Sequence, residues 1–249
     1  MFRHLISVLS GTRRVVVPDH MGFGKSETPP GRSYWLQDHI DNLERLVLAL
    51  DLRDISLVMH DFGGPVGMGL AARHPSRIRR VISTNGPTPF GQADLVDRVT
   101  ANARVSPWFQ WIGKAAADGS LEPVLGQLGF NILSTLKLNG FENRASITDT
   151  WLAAYGAPFV SPADCLGAIG WAKASPRVRT DSRHPVRPLS TRSAQSLRWR
   201  SGARQIARYA RDTSSRSSAA SSPTHLSSVS GVPGIIASRM PPRRSRRWS

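Results

Sequence analysis

The first 174 residues of this 249-residue sequence predict an α/β fold with a parallel sheet, followed by a region of helices alone. Three observations carry that expectation. Short β-branched runs alternate with segments of helical period as far as Ser83, only helical patterns follow as far as about Ala174, and from Ser175 the composition turns abruptly to Arg, Ser and Pro.

Taken in order, Phe2, Leu5, Ile6 and Leu9 have helical spacing, and Gly11-Thr12 ends that pattern. Arg13 to Val17 is a β-branched run closed by Pro18 and reads as a buried strand. Between Trp35 and Leu52, the apolar positions Leu36, Ile40, Leu43, Leu46, Val47 and Leu50 recur with helical period opposite a charged face. Ile55 to Met59 is a second strand, Val66 to Arg73 a buried helix with Pro65 near its first turn, and Arg79 to Ser83 a third strand. After Asn85-Gly-Pro-Thr-Pro89 come helical segments at Leu95–Val105, Trp108–Ala117 and Leu121–Leu138, with Trp151 to Tyr155 on another. A helical insertion after a sheet strand suits a cap over an active site. The expected division is a core over 1–90, a helical cap over 91–174 and a basic tail over 175–249.

The net charge of +16 would ordinarily suggest nucleic acid or an acidic membrane as partner, but its distribution argues otherwise. The last 75 residues hold 16 of the 33 basic and two of the 17 acidic side chains, so they carry +14 and leave the first 174 with only +2. A tail with 18 Ser and neither Lys nor Glu buries too little apolar surface to offset chain entropy, and disorder is expected there. One cysteine, Cys165, excludes an internal disulfide framework and reads as a small buried side chain. No apolar run reaches the ~18 residues that span a bilayer, and no signal peptide stands at the N-terminus, so a cytoplasmic location and no membrane partner are expected.

The chemistry concentrates at Met59-His60-Asp61-Phe62-Gly63-Gly64, which closes a strand and opens a helix. A nucleophile elbow needs this context: a tight turn, small residues after it, and a side chain raised above the sheet. An aspartate there has a carboxylate able to attack an sp³ carbon and form an ester that water later cleaves. The bland alternative is that Asp61 is a helix N-cap. Gly24-Lys25-Ser26 invites a phosphate-loop reading, which fails because Asp19 stands where the first glycine should be. His20, His39 and His74 show no metal-ligand spacing and read as surface or loop residues, and no metal or other cofactor is called for. His60, adjacent to Asp61, reads as shaping the elbow.

The stretches Val15-Val-Val-Pro-Asp-His-Met-Gly-Phe-Gly-Lys-Ser26, His60-Asp-Phe-Gly-Gly64, Ala72-Arg-His-Pro-Ser-Arg77 and Tyr155-Gly-Ala-Pro-Phe159 together resemble the haloalkane dehalogenases, over about Met1 to Ala174. The resemblance implies an α/β-hydrolase core with a helical cap, Asp61 as nucleophile, and the backbone N–H of Phe62 in the oxyanion hole. It implies a small apolar halogenated substrate and water as partners, or an epoxide if the chain sides with the related epoxide hydrolases. Met59 favours the dehalogenases, since epoxide hydrolases usually carry Gly there, and the cap offers only Tyr155 where epoxide opening uses two tyrosines. Phe62 departs from the dehalogenase pattern, because their Trp at that position binds the leaving halide through its indole N–H and phenylalanine has no donor. Trp108, Trp111 and Trp151 are candidate substrate-side donors in the cap, although they read first as packing aromatics.

The family also implies a histidine that activates water and an acid that orients it, both beyond the cap. Asn85 stands where the acid sometimes lies, and His184 and His225 sit in the Arg/Ser tract with nothing to place them. The strands expected before Phe2 and after Ala174 do not appear, which leads to an expectation of a fragment with a three-stranded, open-edged sheet, a shifted reading frame after about Ala174, and no hydrolytic activity.

Overall fold

A computed structural model describes residues 2–86, 88, 94–138, 145, 147–174 and 235–238. The core elements are α1 (Arg3–Leu9), β1 (Arg14–Val16), α2 (Leu36–Ala49), β2 (Ile55–His60), α3 (Gly63–Arg73) and β3 (Ile78–Thr84). Helices alone follow, with α4 (Leu95–Val105), α5 (Pro107–Ala117), α6 (Leu121–Leu125), α7 (Leu128–Leu138), α8 (Asp149–Gly156) and α9 (Leu166–Lys173). Each expected element is present within a few residues. The run expected over Leu121–Leu138 is two helices, broken at Gly126-Gln127 where the first ends.

The sheet has four strands, ordered β1-β4-β2-β3, where β4 is Ile235–Ser238. β2 and β3 pair in parallel from Ile55 opposite Ile78 to His60 opposite Thr84. β4 is antiparallel to both its neighbours, with Val16 opposite Ile236 on one side and Val58 opposite Ile235 on the other. β1, β2 and β3 therefore share one direction, as the alternation of strands and helices predicts. The fourth strand is the departure from the sequence reading, which placed no regular structure beyond Ala174. Ile235-Ile236 is an apolar β-branched pair, and its backbone satisfies donors and acceptors that β1 and β2 would otherwise turn to an empty strand position. The rest of 175–249 lies outside the described residues, and with it the expectation of disorder there.

Both faces of the sheet are covered because β2 alternates. Ile55, Leu57 and Met59 pack with Val47, Leu52, Met68, Leu70, Ala71 and Val81 beneath α2 and α3. Val58 faces the other way and packs with Phe2, Leu5, Val15 and Ile82 under α1. Among the described residues no helix is long and apolar enough to cross a membrane. Polar ties fasten α2 to α3: Arg73 pairs with Asp41 at 2.8 Å and with Glu44, and His74 Nε2 meets Glu44 Oε1 at 2.5 Å.

Met59 is the last apolar side chain of β2 before the turn and is 1% exposed. Met59→Ala is expected to lower unfolding free energy by about 2–5 kcal/mol through the cavity it leaves, read from urea midpoints; an unchanged midpoint would show that this end of β2 is not packed as described.

Candidate active site

The turn after β2 is built around one unusual backbone angle. Asp61 has φ of 47°, in the left-handed region that costs a residue with a Cβ, so surrounding contacts must hold it. Its N–H donates to Asn85 O at 3.0 Å, and its carbonyl accepts the Gly64 N–H at 2.9 Å. Asn85 follows β3 and itself has φ of 37°. A Cβ on Gly86 would lie 2.6 Å from Asp61 N and 2.7 Å from Asp61 Cα and O, so only glycine lets the two chain segments meet. His60 Nδ1 lies 2.7 Å from Thr84 O, which accepts its proton and ties the strand end to β3. That contact agrees with the reading of His60 as a shaper of the elbow. Helix α3 begins at Gly63, so the turn stands at its N-terminus, where backbone N–H groups favour negative charge.

The loop at 19–26 has a structural explanation. Asp19 Oδ2 accepts the Lys25 N–H at 3.0 Å and its carbonyl accepts the Ser26 hydroxyl at 2.7 Å, which folds the loop back on itself. The loop then meets the returning end of the cap. A Cβ on Gly22 would lie 2.6 Å from Gly167 Cα, and one on Gly170 would lie 2.5 Å from Tyr34 Cβ, so α9 docks on the core through its glycines.

This docking places Trp171 beside the elbow. Its ring lies 4.6 Å from that of Phe62 and stacks on His39 at 4.7 Å with an interplanar angle of 9°. His39 meets His20 edge-on at 5.2 Å. The sequence reading put His20 and His39 on the surface or in loops; His20 is in the loop but buried, and His39 is fully buried on α2. The signal was present, since His39 falls three after Leu36 and four before Leu43 and so lies on the apolar stripe of α2. Trp171, missed in the sequence, stands in the small-residue run Gly167-Ala-Ile-Gly-Trp171 with no motif to mark it. Burial pushes His20 down to about 4, against the pull of Asp19. It pushes His39 down to about 3, with His20 acting in the same sense and Asp38 against it.

One apolar cluster joins core and cap. Phe23, Ile40 and Val66 pack with Trp108, Ile112, Leu121, Leu125, Leu128, Cys165 and Trp171, and Phe62, Trp111 and Trp151 lean on it half-buried. Trp108 and Trp111 stack at 5.4 Å and Trp151 on Tyr155 at 4.1 Å, so all three tryptophans take part in packing. Cys165 is fully buried. His184 and His225 lie outside the described residues.

A strand-turn-helix elbow on a sheet, closed over by helices that dock back onto the core, defines an α/β-hydrolase. The chain belongs to the alpha/beta hydrolase fold family, whose model matches residues 1–138. It is 36% identical over 171 residues to a cis-3-alkyl-4-alkyloxetan-2-one decarboxylase of Shewanella oneidensis, covering 68% of this chain and 50% of that protein. It is 37% identical over 97 residues to a haloalkane dehalogenase of Psychrobacter cryohalolentis, covering 38% and 32%. The haloalkane dehalogenase DbeA of Bradyrhizobium elkani superposes with a TM-score of 0.46 at 23% identity, covering 72% of this chain and 55% of that one. The chain thus spans about half the length of the first of these relatives and less of the second.

The buried imidazoles generate a pH prediction. Both folded-state values lie below the ordinary 6.5, so the unfolded chain binds protons more readily than the folded one. Stability is then complete above about pH 6.5 and declines as pH falls toward 4, by on the order of 3 kcal/mol for His20 alone. Urea midpoints between pH 7.5 and 4.5 read this directly. His39→Leu should flatten the decline, and an equal decline in that variant would remove His39 from the account.

Proposed function

We propose that this chain is a hydrolase of haloalkane dehalogenase type in which Asp61 is the nucleophile. The observation that carries the reading is the left-handed backbone of Asp61 at the strand–helix turn, held by Asn85 and Gly86. A residue that merely capped α3 would have no need of that conformation. In the proposed step an Asp61 carboxylate oxygen attacks the carbon that bears the halogen, the carbon–halogen bond breaks, and halide leaves with the electron pair. The product is an alkyl ester of Asp61. The Phe62 N–H at the start of α3 supports negative charge on the ester oxygen in the later attack by water. Half-buried Trp111 and buried Trp108 form the apolar wall on the substrate side.

Water attack needs a base, and the described histidines suit that role poorly. His60 holds Thr84 O through Nδ1, is buried in the strand end and, as the chain neighbour of Asp61, does not face it across the turn, while burial makes His20 and His39 weak bases at neutral pH. The first half-reaction is therefore proposed to proceed and the second to stall, with an epoxide following the same course. Nucleic acid takes no part in this reading.

The oxetanone-decarboxylase relative favours a second reading built on the same nucleophile. Attack of Asp61 on the sp³ ring carbon bonded to the ring oxygen breaks that carbon–oxygen bond, opens a β-lactone and frees a carboxylate. Loss of carbon dioxide then pushes electrons into a new carbon–carbon double bond and expels the Asp61 carboxylate. That cycle consumes no water and needs no base.

Intact-mass measurement after incubation with 1-bromohexane tests the first reading. The wild-type chain should gain one hexyl group with stoichiometric bromide release, and Asp61→Asn should gain none. Repeated release of alkene and carbon dioxide from a cis-3,4-dialkyl oxetan-2-one would favour the second. A wild-type chain that neither gains mass nor turns over either substrate would overturn both.

A further inference from the structure

The sheet holds one strand position that the chain fills only in part. β1 and β2 run in the same direction with a single strand's width between them, and β4 stands there, antiparallel to both. It meets β1 from Arg14 to Val16 and β2 from Ser56 to Val58. On its other side β2 is paired with β3 as far as His60 opposite Thr84. The position therefore runs two residues further along β2 than its occupant does, and among the described residues no strand stands there opposite Met59 or His60.

The backbone at that end is turned toward this stretch. The Asp61 N–H points to Asn85, which follows β3, and across a planar trans peptide the His60 carbonyl points the opposite way. In an extended strand a residue's N–H lies on the same edge as its carbonyl, so His60 presents both groups to the β4 side. His60 is 3% exposed, and a buried backbone group left unpaired is costly. The resident strand is poorly made to pair them. Counted on from Val58 opposite Ile235, the next two positions fall to Gly234 and Pro233, and glycine weakens a strand while proline has no N–H to give. β4 is also tethered from far away. Sixty residues separate Ala174 from Ile235, and a tether of that length holds its end at an effective concentration on the order of a millimolar or less.

We infer that the position between β1 and β2 is a strand-docking site for a second polypeptide, which competes there with Ile235–Ser238 and adds pairing as far as His60. Its partner is an extended segment of six residues, the length of β2, apolar and β-branched without Gly or Pro, and laid antiparallel to β2 as β4 is. Apolar residues are needed at successive positions because both faces of the sheet are covered. Val16, Leu57 and Met59 pack beneath α2 and α3, while Val15 and Val58 pack with Phe2. A second copy of this chain brings the same Pro-Gly before its strand and is the poorer partner. Recognition of this kind runs through main-chain pairing, and it stands whether or not Asp61 is the nucleophile.

Two fluorescent peptides titrated into the full wild-type chain test the site, with anisotropy as the readout. One is Val-Val-Ile-Ile-Ala-Ser-Lys-Lys, and the other keeps the resident Pro-Gly in place of Val-Val. The first should bind about tenfold or more tightly than the second, since it adds main-chain pairs opposite Met59 and His60. Hydrogen exchange on the same samples locates the binding. Saturating Val-Val peptide should slow exchange of the His60 amide about tenfold and strip protection from Ile236 to Ser238. Equal affinity for the two peptides, no binding, or binding that leaves the Ile236–Ser238 amides protected would overturn the inference. A dimer that forms without peptide and dissolves when the Val-Val peptide is added would show second copies in the site and overturn the choice of partner.

Discussion

The clamp between the end of β2 and the segment after β3 is the constraint on which the site depends. Asp61 sits in a conformation it would not adopt alone, and the Asn85 carbonyl and the bare Gly86 backbone hold it there. That clamp requires the β2–β3 register, because only with His60 opposite Thr84 does the following residue of β3 reach the turn. The His60–Thr84 contact fixes the same register from the side-chain side. Core packing and site geometry are therefore one problem: Met59, Leu57 and Val81 hold the strands in line, and the line places the turn.

A second constraint governs what surrounds the turn. The cap returns to the core at α9, and its approach is close enough that Gly22 and Gly167 exclude each other's side chains. Two unrelated stretches of chain thus bring Trp171 over His39 and against Phe62. Burial there keeps both histidines neutral at ordinary pH, so the same contact that closes the cap makes the fold sensitive to acid. The sheet shows a comparable economy. β1 and β2 lie one strand apart, and Ile235–Ser238 supplies the backbone that joins them.

Much of this was legible in the sequence because it rests on local chemistry. β-branched runs, helical stripes and the Asp-Phe-Gly-Gly turn determined the alternation of elements and the position of Asp61, since period and turn residues act over a few neighbours. The Asp19 loop differs from a phosphate loop at a residue visible in the sequence, and that residue binds the loop to itself through the Lys25 N–H and the Ser26 hydroxyl. Tertiary structure decided the rest. His39 reads as one polar residue on a helix until α9 covers it, and Trp171 reads as one more aromatic until glycines bring it to the elbow. β4 was illegible because four residues in an Arg/Ser tract carry no periodic signal and become a strand only where two others offer unpaired backbone. Partners distant in sequence are chosen by packing, and packing is a property of the assembled chain rather than of any segment.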